Sequence, residues 1–225
     1  MPIKQPPKPK RKILHLGNVG EDKAYRSKRL AHMCPDIQFY GIDLKKITNS
    51  RVHHPSVLED TQIHKLRESR LKLDKPKNLI QFQENFIKGL LDFPDNHLDI
   101  ITSDFAVGYY DQRVTTRNLK KKAVAAYKVN AVNVYTEAEK YTIDVINLIY
   151  NKLKPKGKFI AYYFIDRNRI NTYFGFNLKT AINKSKFLYV KEEKVDITKM
   201  PPEFRSLYTT HLRDSDIYRI VAIKE

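Results

Sequence analysis

Short apolar runs alternate with longer, helically spaced segments along this chain, and that alternation restricts the fold more than any other feature. The runs are KILHL (12–16), IQFYGID (37–43), LIQFQ (79–83), LDIIT (98–102) and KFIAYYFI (158–165). Each has the length of a buried strand and is too short for a packed helix. After the first run, Ala24, Leu30, Ala31 and Cys34 mark one face of a helix over 22–34, and Pro35 ends it. Val134, Ala138, Tyr141, Ile146 and Ile149 repeat that spacing over 130–153, and further helices are expected at 55–73 and 172–184. Strand and helix in alternation imply an α/β fold with a mostly parallel sheet and helices on both faces. The last two runs, FLYVKEEKV (187–195) and IYRIVAIK (217–224), have no helix between them and are expected to pair antiparallel.

The 225 residues suit a single domain over 12–225, preceded by a Pro/Lys-rich flexible tail over 1–11. Cys34 is the only cysteine, which excludes an internal disulfide and a zinc site of the CxxC type. His53, His54 and His64 lack matching carboxylate spacing, so no metal site is expected. No apolar stretch is long enough to span a bilayer, and the first residues lack the apolar core of an export signal. A cytoplasmic location is the expectation, with the cluster KPKRK as the feature that would suit nuclear import in a eukaryote. The formal charge of +17 attracts polyanions, which makes nucleic acid the first partner to consider. A lysine-rich solvated surface is the competing reading, and nothing in the sequence sets the oligomeric state.

The first run ends in a glycine turn, LGNVG (16–20). In a parallel sheet, ligands bind beyond the carboxyl ends of the strands, where glycine lets a ligand approach the backbone. Gly17 and Gly20 suit that role, or serve only as turn residues. Asp43 closes the second run. A carboxylate there can accept hydrogen bonds from both ribose hydroxyls of an adenosine-containing cofactor, or can cap a following helix.

The segment QENFIKGLLDFPDNHLDIITSDF (83–105) resembles the middle of class I S-adenosylmethionine-dependent methyltransferases, in which a "lpFpDnsFD" turn leads into the fourth strand. LKPKGKFI (153–160) is similar to the family's "LkPGGrli" entry into the fifth strand. The resemblance implies a Rossmann-like three-layer sandwich with a seven-stranded, mostly parallel sheet and an antiparallel C-terminal strand pair. It implies S-adenosylmethionine as cofactor, with Gly17, Asn18 and Gly20 along its methionine part. Asp43 would hold the ribose, Asn85 and Phe86 the adenine, and the segment containing Ser103 would face the methyl group. The chain departs from the family's D/E-x-G-x-G-x-G turn at three places: His15 stands for the acid, Val19 for the second glycine and Glu21 for the third.

Methyl transfer needs proximity, alignment and, for a weak nucleophile, a base. Asp104, just beyond the fourth run, is the candidate catalytic residue; a helix cap is its bland reading. Tyr109 and Tyr110 could stack on a base. Arg113, Arg117, Lys120, Lys121 and Lys122 form a basic stretch suited to the phosphates of RNA or DNA, and RNA is the acceptor considered first. The basic stretch 65–77 reads more simply as a solvated helix. Two other functions are compatible with the same residues. One is a methyltransferase-like module that binds nucleic acid or a partner without the cofactor. The other is a methyltransferase of small molecules or proteins.

Overall fold

The computed structural model describes residues 11–17, 21–43, 76–104, 106–107, 131–166, 178–196 and 215–225. The expected helix at 55–73, both basic stretches apart from its last two residues at 76–77, and the tail apart from Arg11 lie outside them. The strands are β1 (Arg11–Leu16), β2 (Ile37–Asp43), β3 (Leu79–Gln83), β4 (Leu98–Asp104), β5 (Leu153–Asp166), β6 (Tyr189–Lys194) and β7 (Ser215–Ile223). They form one sheet in the order β3-β2-β1-β4-β5-β7-β6. The first five strands pair parallel, and β7 runs antiparallel to both β5 and β6. This is the Rossmann-like α/β sandwich expected, with its antiparallel C-terminal pair.

Helices α1 (Glu21–Met33), α2 (Phe86–Leu91), α3 (Ala131–Lys152) and α4 (Leu178–Asn183) flank the sheet. Alternation along each strand divides the core in two. Leu14, Leu16, Ile42, Ile101, Phe159 and Ala161 face α2, α3 and α4, where they meet Leu90, Val145, Ile149 and Ile182. Ile13, Phe39 and Leu79 face the other way and meet Ala31 of α1. His15 and Asp43 share the parity of Ile13 and Phe39, so both belong to the α1 side of the sheet.

The sequence gives no periodic signal for α2, which is only six residues long. Its start is nonetheless encoded: Asn85 is the N-cap, with its side-chain oxygen accepting from Lys88 N at 2.8 Å. Gly89 lets the helix lie against β2, since a Cβ there would come within 2.8 Å of Ile42 Cδ1. The LDFPDNH turn then inserts Phe93 edge-on against Tyr40 and Phe82, with ring centroids 5.1 and 5.7 Å away. β5 also starts earlier than expected. Leu153 already pairs with Leu98, and an irregularity carrying Lys156 at φ 64° precedes the regular pairing from Lys158.

The end of α1 is secured by a residue distant in sequence. Asn78 donates from Nδ2 to the carbonyls of Ala31, Cys34 and Ile37 at 2.9, 3.0 and 2.8 Å. It thereby satisfies the Ala31 carbonyl at the helix end and ties that end to Cys34 and to Ile37 at the start of β2. Asn78→Ala should cost about 1–3 kcal/mol, read as a lower urea midpoint. Asn78→Asp should cost more, because it turns an oxygen toward three carbonyl oxygens.

At the amino-terminal edge of the sheet, Lys12 Nζ donates to the His97 ring, 3.0 Å from Nε2. Asp99 accepts from Lys12 N and from Lys154 Nζ, both at 2.7 Å. Burial, then the charges of Lys12 and Lys154, push the His97 pKa below its ordinary value. The unfolded chain therefore takes up this proton first. The contribution of neutral His97 to stability is complete above about pH 6.5 and is lost as pH falls through the lowered folded value. Urea midpoints measured between pH 7.5 and 5.5 should fall less steeply in His97→Asn than in the unaltered chain.

Candidate functional site

The sheet reverses its direction of growth between β1 and β4: β2 and β3 follow β1 on one side, β4 and β5 on the other. The carboxyl ends of the strands open a crevice at such a point. Four of the residues singled out from the sequence come to this edge. Gly17 follows Leu16, which is in register with Ile42 on β2 and Ser103 on β4. Gly17 therefore stands level with Asp43 and Asp104. Asp43 is opposite Gln83, the last residue of β3, and Asn85 follows two residues later.

Gly17 adopts φ 77°, and its N–H donates to the Ile42 carbonyl at 2.9 Å. The side of Gly17 where a Cβ would point is filled by the methyl of Ala106, which would lie 2.0 Å from that atom. Phe86 backs the same turn, its Cζ 3.8 Å from the same point. Phe86 is buried in the core cluster, beneath the turn. Ser103 is buried as well, and its hydroxyl accepts from Val107 N at 3.0 Å, tying down the segment that carries Ala106. The oxygen of Asn85 is committed to the helix cap, so its carboxamide nitrogen is the group suited to face a ligand. Asn18 and Gly20 lie outside the described residues, as do Arg113, Arg117, Lys120, Lys121 and Lys122.

The structure adds a grouping that residue spacing does not reveal. His15 lies opposite Thr102 in the β1–β4 register, and its Nδ1 is 3.0 Å from Thr102 Oγ1. Its Nε2 is 3.5 Å from Asp104 Oδ2. Asp104 is 1% exposed and His15 8%. A buried carboxylate requires compensation by charge or hydrogen bonding, and the imidazole is placed to supply part of it when it carries a proton. The sequence carried no signal for this grouping, because it depends on the β1–β4 register. Among the described residues no group of three or more His, Cys, Asp or Glu is arranged to hold a metal ion. No described helix is long and apolar enough to cross a membrane.

No protein-family model matches the chain, and no curated protein matches it. Solved structures share its fold. The (4+2) cyclase SpnF gives a TM-score of 0.53 at 15% identity, over 97% of this chain and 76% of that one. Phosphoethanolamine N-methyltransferase 2 from Haemonchus contortus, in complex with phosphomonomethylethanolamine and S-adenosylhomocysteine, gives 0.51 at 13% over 97% and 50%. Geranyl diphosphate C-methyltransferase from Streptomyces coelicolor A3(2), in complex with Mg2+, geranyl diphosphate and S-adenosyl-L-homocysteine, gives 0.52 at 10% over 97% and 74%. The chain thus spans half the length of the Haemonchus protein. It has the fold of class I S-adenosylmethionine-dependent methyltransferases. That fold carries a cyclisation as well as methyl transfers, so the reaction has to be argued from the site.

Proposed function

We propose that the chain is an S-adenosylmethionine-dependent methyltransferase whose acceptor is RNA. The observation that carries the reading is the gathering of Gly17, Asp43, Asn85 and Asp104 at the carboxyl ends of adjacent strands, at the switch point of the sheet. The residues fit an adenosine-containing cofactor. Asp43 offers a carboxylate to vicinal ribose hydroxyls, and the Asn85 carboxamide nitrogen offers donors to a ring nitrogen of adenine. Gly17, Asn18 and Gly20 would pass along the methionine part, and Ser103 braces the segment beside the methyl group. When bound, the cofactor supplies an electrophilic methyl group. Asp104, at the β4 end, orients the acceptor and takes its proton.

RNA as acceptor is supported by the +17 charge and by the basic segment after β4, with Arg113, Arg117, Lys120, Lys121 and Lys122 and the nearby Tyr109 and Tyr110. Two measurements test the reading: calorimetric titration with S-adenosylhomocysteine, and transfer of labelled methyl groups into a mixed RNA pool. Saturable heat and label in RNA are expected. Absence of heat at high micromolar ligand would sink it.

A second reading, a nucleic-acid- or partner-binding module of this fold without the cofactor, is favoured by one observation. At Gly17 the close approach that glycine permits is taken by the protein's own Ala106 methyl. It predicts salt-sensitive RNA binding that S-adenosylhomocysteine leaves unchanged. Methyl incorporation that depends on the cofactor excludes it.

A further inference from the structure

We propose that His15 is the positioning residue of Asp104: the two act as one proton-accepting pair, and the methyl acceptor is a nucleophile that must lose an N–H or O–H proton. This rests on the methyl-transfer reading above and adds to it a residue and a substrate class.

The surroundings hold the imidazole in one orientation. On one side Gly41 of β2, in register with His15, contributes no side chain. On the other, Thr102 Oγ1 engages Nδ1 at 3.0 Å, and Asp104 stands 3.5 Å from Nε2. Beyond Asp104, Tyr162 of β5 is in register with it on the same face. From α1, the buried polar residue among those described is Ser27, one turn before the Ala31 that packs on Ile13. The imidazole therefore has a hydroxyl at one nitrogen and a carboxylate at the other.

A separation of 3.5 Å is longer than a hydrogen bond between these atoms. It suits two acceptors with no proton between them: Nδ1–H donates to Thr102 Oγ1, and the Nε2 lone pair faces the carboxylate. Such a pair takes up one proton readily. The acceptor's proton passes to the Asp104 carboxylate and on to His15 Nε2, and the bonding pair it leaves stays on the nitrogen or oxygen as the attacking lone pair. The pair ends as imidazolium and carboxylate, and the imidazolium releases its proton to water after turnover. An ordinary aspartate, with a pKa of about 3.9, is a poor base near neutrality, whereas imidazole at about 6.5 is well matched. The carboxylate thus hands the proton to the ring behind it and keeps its negative charge beside the reacting atom. A thiolate or a free amine needs no such base. An amide-like N–H of a nucleobase or a sugar hydroxyl does.

The test uses the full chain and four variants, His15→Asn, His15→Gln, Thr102→Val and Asp104→Asn, with circular dichroism to confirm folding. In 15N-detected NMR, the His15 ring nitrogen signals should shift in Asp104→Asn, since the carboxylate faces Nε2. With RNA as methyl acceptor, His15→Asn should lower kcat about 10²-fold, the low end for a general base, and move the acid limb of the pH profile to lower pH. Thr102→Val should move the limb while retaining His15. Affinity for S-adenosylhomocysteine should stay within about twofold, because the pair does not hold the cofactor. A purely structural histidine would reduce yield or stability and leave the limb in place. An unmoved limb with retained cofactor affinity overturns the pair and leaves the methyl-transfer reading standing. If the unaltered chain binds no S-adenosylhomocysteine, that reading falls and the pair falls with it.

Discussion

Replacing Gly17 with alanine should destabilise the domain by about 2–5 kcal/mol and abolish whatever the switch-point crevice binds. Two separate costs add. At φ 77° a side chain is held in the left-handed region, at about 1–2 kcal/mol for a residue with a Cβ. The new methyl would also lie 2.0 Å from the Ala106 Cβ. Neither side yields easily. The Gly17 N–H is bonded to Ile42, and the Ala106 segment is pinned by the Ser103–Val107 hydrogen bond. Overpacking of that kind adds about 1–3 kcal/mol. The two costs separate in a double-variant cycle. Ala106→Gly in the Gly17→Ala background removes the collision and keeps the backbone penalty, so it should recover the second cost and not the first. Urea unfolding reads both. A single variant within about 0.5 kcal/mol of the unaltered chain, at the scale of an innocuous surface change, would mean that this turn is not held as described.

The architecture was legible because each described strand announces itself locally. IQFYGID and LIQFQ match β2 and β3 residue for residue, and helix 22–34 differs from α1 by one position at each end. What escaped was set by partners remote in sequence. α2 depends on one cap and on a glycine seated over Ile42, and six residues carry too little periodicity to show. The LDFPDNH turn, the strongest point of family resemblance, is explained in this chain by packing: it places Phe93 between Tyr40 and Phe82. Strand ends could be read from sequence, but the register between them could not. For that reason Asp43 and Asp104 could be nominated singly, while the meeting of His15 with Asp104 needed the β1–β4 register. The histidine that reads as a departure from the glycine motif is, in three dimensions, the neighbour of the carboxylate on the next strand.

Asp43→Ala is expected to weaken S-adenosylhomocysteine binding by about 100-fold or more. Two hydrogen bonds from ribose hydroxyls to a carboxylate contribute about 1.5–3 kcal/mol each, and each 1.4 kcal/mol is a tenfold change in affinity. The position supports this use. Asp43 is half-buried at the end of β2, level with Gly17 and one strand from Asn85. The alternative, that Asp43 caps a helix, makes a different prediction, and a third residue separates them. Serine caps a helix about as well as aspartate but carries no charge. If Asp43 is a cap, Asp43→Ala lowers stability by about 1 kcal/mol, Asp43→Ser restores it, and ligand affinity follows neither change. If Asp43 holds the ribose, both variants lose affinity while Asp43→Ser keeps full stability. Calorimetry and urea unfolding on the same two proteins therefore assign the carboxylate to the ligand or to the fold.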